Sequence, residues 1–310
     1  MKRARSILIP LGSALAVWLV LCTAIGVVAV EGALHPARLP VTAEEEESAR
    51  DTAEQNQALL ASVEIEAQDG AKLRAWSIRP RNGNGDAVIL LHGQGDNRAG
   101  MMGPAQLLLR HGYAVLMPDA RAHGGSGGAL GTYGILESDD IRRWFDWLKQ
   151  NESGRCIDGL GDSMGGAEVL ESLSAEKGFC AVVAESPFAT FDEAAFDRLG
   201  QQFSTGPWLG RSLLRPALFA GTAYARMRYG IDLSLADPAR AVAASHVPVL
   251  LIHGLADTNL PPRHSAIIKT GNAAVALWEP EGAGHCGAST KAPAEYEQRV
   301  LEWFSSHDHP

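Results

Sequence analysis

A mostly parallel α/β sheet flanked by helices is the fold class this sequence predicts, and three observations predict it. First, short runs that are apolar at every position recur along the chain: Ala87–Leu91, residues 113–117 (Tyr-Ala-Val-Leu-Met) and residues 247–252 (Val-Pro-Val-Leu-Leu-Ile). Strands covered by helices on both faces need that pattern. Second, stretches of helical periodicity separate the runs, which gives strand–helix units rather than a meander. Third, each run ends in polar residues and glycines, and open sheets of this class bind ligands at the carboxyl ends of their strands.

Composition narrows the function. Of the 310 residues, 46% are hydrophobic and 20% charged, as in a globular protein of one large or two small domains. A net charge of −9, with no stripe of Lys and Arg, argues against a nucleic-acid partner. Residues 7–30 carry no charge and are long enough to span a bilayer. Lys2, Arg3 and Arg5 precede that run, and Glu31 and then Glu44 to Glu47 follow it. The positive-inside rule then keeps the N-terminus in the cytoplasm and exports the rest. A cleaved signal peptide is the rival reading, but its apolar segment would be unusually long and no Ala-x-Ala site follows. Leu21 before Cys22 also argues against a lipoprotein signal. The expected organisation is a basic end and signal anchor in residues 1–30, an acidic juxtamembrane helix and linker in 31–62, and one large domain in 63–307, outside the cytoplasm (periplasmic or at the cell surface).

The elements follow in order. Thr42-Ala43-Glu44-Glu45 has the form of a capping box and opens a helix expected to reach about Leu60. Its glutamates and glutamines suggest an acidic surface helix with no partner. Residues 63–66 and 73–78 alternate around Gln68-Asp69-Gly70, a hairpin with one wet face. The run at 87–91 ends in His92-Gly93-Gln94-Gly95; a helix through Leu107 to Leu109 follows. The run at 113–117 ends in Asp119-Ala120-Arg121-Ala122-His123-Gly124. A helix over 138–150 leads to a strand ending at Gly161, and a helix and a further strand, 179–184, come next. Residues 187–242 interrupt the alternation with helix-like sequence rich in Phe, Leu, Trp and Arg. The run at 247–252 resumes the sheet and ends in His253-Gly254-Leu255-Ala256-Asp257. A short helix at 265–269 follows, then a last strand at 274–278 ending in Gly282-Ala283-Gly284-His285. The C-terminal helix carries Tyr296, Val300, Leu301 and Phe304 at helical spacing.

Gly161-Asp162-Ser163-Met164-Gly165 has the form of a nucleophile elbow. It puts a serine on a strained strand-to-helix turn, with glycines two residues away on each side where a Cβ would collide. A second match, Gly124-Gly125-Ser126-Gly127-Gly128, has no helix after it and reads as a flexible glycine loop. With Ser163 as nucleophile, His285 is the base and Asp257 the acid that orients it, in the chain order Ser, Asp, His. Rivals for the acid are Glu185, Asp162 and Asp119; Asp119 is expected instead to tie down the loop containing Arg121. The oxyanion hole would use the backbone N–H groups of Met164 and of Gln94. His92 is expected to pack under the sheet. Cys156 and Cys180 begin neighbouring runs; a bridge is open, but two buried free thiols fit the demanding cross-strand geometry better. Cys286, beside His285, is expected to be incidental.

Together, Leu91-His92-Gly93-Gln94, Asp119 to Gly124, Gly161 to Gly165, Gly254 to Asp257 and Gly284-His285 resemble, in order, the motifs of the α/β-hydrolase superfamily. The chain is most similar to bacterial membrane-anchored members grouped with the Bem46-like and prolyl-oligopeptidase-like hydrolases. The resemblance covers about residues 63–304. It implies eight strands with the second antiparallel, and residues 187–242 as a helical lid. It also implies a serine hydrolase needing no cofactor and no metal. Ala122 departs from the Gly that many relatives carry in that loop. The expected activity is hydrolysis of a small-molecule ester or lipid through an acyl-enzyme on Ser163. The alternatives are a membrane-associated lipase or lysophospholipase, an exopeptidase or acyltransferase, and a catalytically silent binding scaffold. Phe203, Trp208, Leu213, Leu214 and Phe219 of the lid are expected to pack against the body rather than meet lipid.

Overall fold

The computed structural model describes residues 2–151 and 156–307, with only the backbone described for residues 2–11. Eight strands form one sheet in the order β1-β2-β4-β3-β5-β6-β7-β8. They are β1 (Ala58–Glu66), β2 (Lys72–Pro80), β3 (Ala87–Leu91), β4 (Ala114–Pro118), β5 (Ile157–Asp162), β6 (Val182–Glu185), β7 (Val249–Ile252) and β8 (Ala276–Trp278). β2 pairs antiparallel with both β1 and β4, and every pairing from β4 to β8 is parallel. Eight strands with the second reversed are what the resemblance implies. β3, β6 and β7 are buried at every residue, as a sheet covered on both faces requires.

The helices are α1 (Lys2–Leu34), α2 (Ala43–Gln55), α3 (Met102–Arg110), α4 (Glu137–Asn151), α5 (Met164–Ser172), α6 (Phe191–Gln202), α7 (Trp208–Arg211), α8 (Arg215–Tyr229), α9 (Pro238–Ala243), α10 (Arg263–Gly271), α11 (Ala288–Lys291) and α12 (Pro293–His307). Two apolar cores lie one on each face of the sheet. One holds Trp76, Val88, Leu90 and Met117 with Leu108 of α3 and Tyr296, Val300 and Phe304 of α12. The other holds Ile89, Leu91 and Leu116 with Trp144, Phe145 and Leu148 of α4.

The chain divides into two compact units. One comprises residues 35–190 and 236–310 and holds the sheet; the other comprises residues 1–34 and 191–235. In the second unit α1 packs on α8. A Cβ at Gly26 would lie 2.0 Å from the Ala217 carbonyl oxygen, and one at Gly221 would lie 2.6 Å from the Gly26 carbonyl oxygen. The two backbones therefore touch where neither residue has a side chain. Cys22, Leu199, Leu214 and Ala217 are buried together around this contact, flanked by Trp18, Ile25 and Leu209. Residues 12–34 of α1 are long and apolar enough to cross a membrane.

Several expectations change. The capping box forms, with Glu45 N–H donating to Thr42 Oγ1 at 3.2 Å and Thr42 N–H to Glu45 Oε2 at 2.7 Å. The helix, however, ends at Gln55 rather than near Leu60. Gln57 turns the chain at φ 50°, and Leu59 and Leu60 pair with Arg79 and Ile78 in β1. Nor is α2 without a partner: Ala49, Thr52 and Ala53 are buried, and Gln106 of α3 donates to Thr52 Oγ1 at 3.1 Å. Cys156 and Cys180 are not free thiols but a disulfide, with Cα atoms 5.7 Å apart. Cys180 N–H donates to the Ile157 carbonyl at 3.0 Å, which brings Cys180 beside the residue that follows Cys156. Of the five lid residues singled out, Phe203, Trp208, Leu213 and Phe219 are exposed and Leu214 is buried.

Candidate active site

Ser163 follows β5 directly and caps α5 with φ 54° and ψ −111°. Few non-glycine residues hold that backbone conformation without surrounding constraint. The constraint is visible. Ser163 N–H donates to the Glu185 carbonyl at 2.8 Å. A Cβ at Gly161 would lie 2.3 Å from the Gly165 carbonyl oxygen, and one at Gly165 would lie 2.3 Å from that of Leu91. The two glycines let the turn close on itself and on the end of β3.

Three side chains from three strand ends are hydrogen-bonded in series. Ser163 Oγ lies 2.8 Å from His285 Nε2, and His285 Nδ1 lies 2.7 Å from Asp257 Oδ2. A carboxylate only accepts, so Nδ1 carries the proton and Nε2 is left to accept from the serine hydroxyl. Asp257 Oδ1 takes the N–H groups of Asn259 (2.9 Å) and Leu260 (3.0 Å). Burial alone would raise its pKa. Hydrogen bonds from His253 and His285, and the Leu260 amide, outweigh that and hold the carboxyl well below the usual range.

The rival acids take other partners. Glu185 Oε1 accepts the Ala288 N–H at 2.8 Å; burial pushes its carboxyl up to about 7. Asp162 is pushed well above the carboxylate range by burial and by the charges of Glu185 and Asp96. Asp119 ties its loop through the N–H groups of Arg98 and Gly125, both at 2.7 Å. It does not hold Arg121, which forks onto Asp140 at 2.7 and 2.8 Å and reaches Asp69 at 3.0 Å. The second elbow-like match is not a flexible loop: Ser126 is buried, donates to the Asp119 carbonyl at 2.8 Å and accepts from Arg74 N–H at 2.9 Å. Ala122 in that loop sits at φ 60°, the left-handed region that glycine occupies without penalty.

Met164 opens α5. The first helical bond runs from Ala167 N–H to the Ser163 carbonyl, so the Met164 N–H lies ahead of the ladder. A Cβ at Gly93 would lie 3.7 Å from Ser163 Cβ, which brings the chain entering Gln94 alongside the serine. His92 is buried, its Nδ1–H donating to the Gly93 carbonyl at 2.8 Å and its Nε2 accepting from Ala120 N–H at 3.1 Å. It braces the turn before Gln94.

Two residues at the site had no signal in the sequence. Gln94 Nε2 donates to the Tyr133 hydroxyl at 2.8 Å. Tyr133 stands at φ 59° in a turn that Glu137 grips through the N–H groups of Thr132 and Gly134. His253 lies with Nε2 3.4 Å from Asp257 Oδ2, held by Ser265 Oγ and the Leu260 carbonyl, both at 2.7 Å. Burial pushes the Cys286 thiol far up, and its Sγ lies 3.9 Å from the Glu185 carbonyl.

Known proteins fit this architecture. The family model described as the alpha/beta hydrolase family matches residues 88–299. The uncharacterized protein YqkD of Bacillus subtilis is 27% identical over 241 residues, covering 76% of each chain. The structure of the Pyrococcus furiosus esterase Pf2001 superposes with a TM-score of 0.70 at 27% identity, over 89% of this chain and 100% of that one. A puromycin-hydrolyzing peptidase of Mycobacterium tuberculosis shares the fold, with a TM-score of 0.65 at 16% identity over 81% of this chain and 40% of its own. By the family match, the strand order and the elbow, this chain belongs to the alpha/beta hydrolase family and is a hydrolase.

Proposed function

We propose that the chain is a membrane-anchored serine hydrolase that cleaves carboxylic esters, with Ser163, His285 and Asp257 as its triad. The observation that carries this reading is the unbroken series of hydrogen bonds from Ser163 Oγ through His285 to Asp257. His285 Nε2 takes the serine proton as Oγ attacks the acyl carbon, and the ionised Asp257 stabilises the imidazolium. The N–H groups of Met164 and Gln94 receive the oxyanion. His285 then protonates the leaving alcohol. Water, deprotonated by the same imidazole, releases the acid and restores the serine. The Pyrococcus furiosus esterase, alike over its whole length, supports an ester rather than a peptide substrate.

Two observations support an exported, anchored chain. The Cys156–Cys180 disulfide fits an oxidising compartment. The burial of Cys22 in α1 against Leu214 and Ala217 makes α1 part of a packed unit, which a cleaved signal peptide would not be. The test is labelling of the full chain in detergent with a fluorophosphonate, alongside hydrolysis of p-nitrophenyl esters of increasing acyl length. Ser163→Ala should lose labelling and cleave at least about a thousandfold more slowly. Undiminished labelling would place the nucleophile elsewhere.

A further inference from the structure

The contacts between α1 and α8 order the two helices against one another along their length. Cys22 Sγ reaches the Leu213 carbonyl at 3.8 Å. Gly26 meets Ala217 and Gly221, and Val30 flanks Gly221. The Tyr229 hydroxyl donates to Glu31 Oε1 at 2.7 Å. The helices therefore run in the same direction, and each level of α8 is matched to a level of α1.

Those levels fall on a membrane boundary. The roughly 20 residues from 7 to 26 cover about 30 Å as a helix, the thickness of bilayer hydrocarbon. The uncharged run continues only to Val30, so the anchor can slide by about 6 Å at most. At either limit Glu31 lies at or beyond the hydrocarbon edge, and Cys22 lies about 6–12 Å inside it. Leu213, level with Cys22, is then below the edge, and Phe219, in the turn between Ala217 and Gly221 that meets Gly26, lies from the edge to about 6 Å below it. Tyr229 is at the edge or above it. Amphipathic helices seated in an interface penetrate about 5–10 Å.

The side chains fit that placement. Leu213 is 55% exposed and Phe219 76%, with Trp208 at 59% and Phe203 at 54% nearby in the chain. Water is a poor solvent for four such residues within one short segment. Arg226, Arg228, Tyr224 and Tyr229 gather at the outer end of α8, where lipid phosphates and the aromatic belt lie. Arg211 and Arg215 flank Leu213, and Arg211 pairs with Glu193. Long arginine side chains reach several ångströms back to the phosphates, which sets a shallow seat and excludes a second span.

We propose that α6 to α8 are seated with α1 in the lipid leaflet on the C-terminal side of the anchor, with Leu213 and Phe219 in its acyl region. The proposal rests on reading α1 as a membrane anchor, and the experiment separates the two. The full chain carrying Cys22→Ala and Cys286→Ala, its disulfide kept oxidised, is placed in vesicles of phosphatidylcholine and phosphatidylglycerol. Nitroxides are attached one at a time through Phe219→Cys, Leu213→Cys, Val17→Cys in the anchor and Lys177→Cys on the water-exposed surface of the sheet unit. The readout is collision with oxygen relative to a water-soluble nickel chelate. The ratio at Phe219 and Leu213 should exceed that at Lys177 by about fivefold or more, approaching Val17, as expected several ångströms inside hydrocarbon. A ratio equal to that of Lys177 at both positions, with Val17 high, overturns the seated unit and leaves the anchor standing. A low ratio at Val17 as well overturns both. Circular dichroism melts confirm that each labelled chain is folded.

Discussion

Glu185 shows how a residue near Ser163 can matter without joining the hydrogen-bonded series. Its carbonyl holds Ser163 N–H, and its carboxyl accepts from Ala288 N–H while burial pushes it up to about 7 from 4.5. A carboxyl whose pKa is raised by folding binds its proton more tightly in the native state. The stability tied to that proton is full below about pH 4.5 and is lost as pH rises through 7. Glu185→Gln keeps an oxygen for Ala288 and cannot ionise. Thermal melts should show the variant level with the parent near pH 4.5 and more stable at pH 8, by on the order of 3 kcal/mol. What the sequence revealed at this scale follows the same division. Ser163, His285 and Asp257 were legible because their glycine-flanked strand ends are a local pattern. Tyr133 and His253 were not, because a left-handed turn gripped by Glu137 and a histidine braced by Ser265 depend on contacts distant in the chain.

At the level of elements, the strands buried on both faces could be read directly, since continuous apolar runs have few other uses in a chain of this composition. The start of β1 could not. Leu59 and Leu60 follow a good helical sequence, and the turn that separates them from it is made by Gln57 at φ 50° rather than by a glycine. The disulfide escaped for a related reason. Whether two cysteines can meet depends on how β5 and β6 are registered, and that register, which sets Cys180 N–H on the Ile157 carbonyl, is made by contacts distant in the chain. The bridge closes a loop with a sequence separation of 24. By loop-closure entropy, Cys156→Ala with Cys180→Ala should cost about 3 kcal/mol. A lowered guanidinium midpoint with an unchanged slope would show it.

For the whole molecule, the second unit rests on a helix contact with no room for a side chain. Gly221→Leu would drive atoms into the Gly26 backbone and Val30. We expect it to release α8 from α1, so that trypsin cuts the full chain at Arg226 and Arg228 at least about tenfold faster, as local opening of a weakened unit allows. Fluorophosphonate labelling of Ser163 in the same sample would show the sheet unit still folded. The apolar run of α1 and the helical character of residues 191–235 could both be read from sequence; that they belong to one unit could not, because Gly26 and Gly221 have no pattern in common.

That contact also sets an order in time. Cys22 and Leu213 are separated by 191 residues, and a ribosome adding about 5–20 residues per second needs roughly 10–40 s to cross that interval. The helix made first waits that long for its partner with its glycine face uncovered. Other helices with small residues compete for that face in the meantime, so the speed of synthesis, as well as the fit of the surfaces, decides what the first helix pairs with.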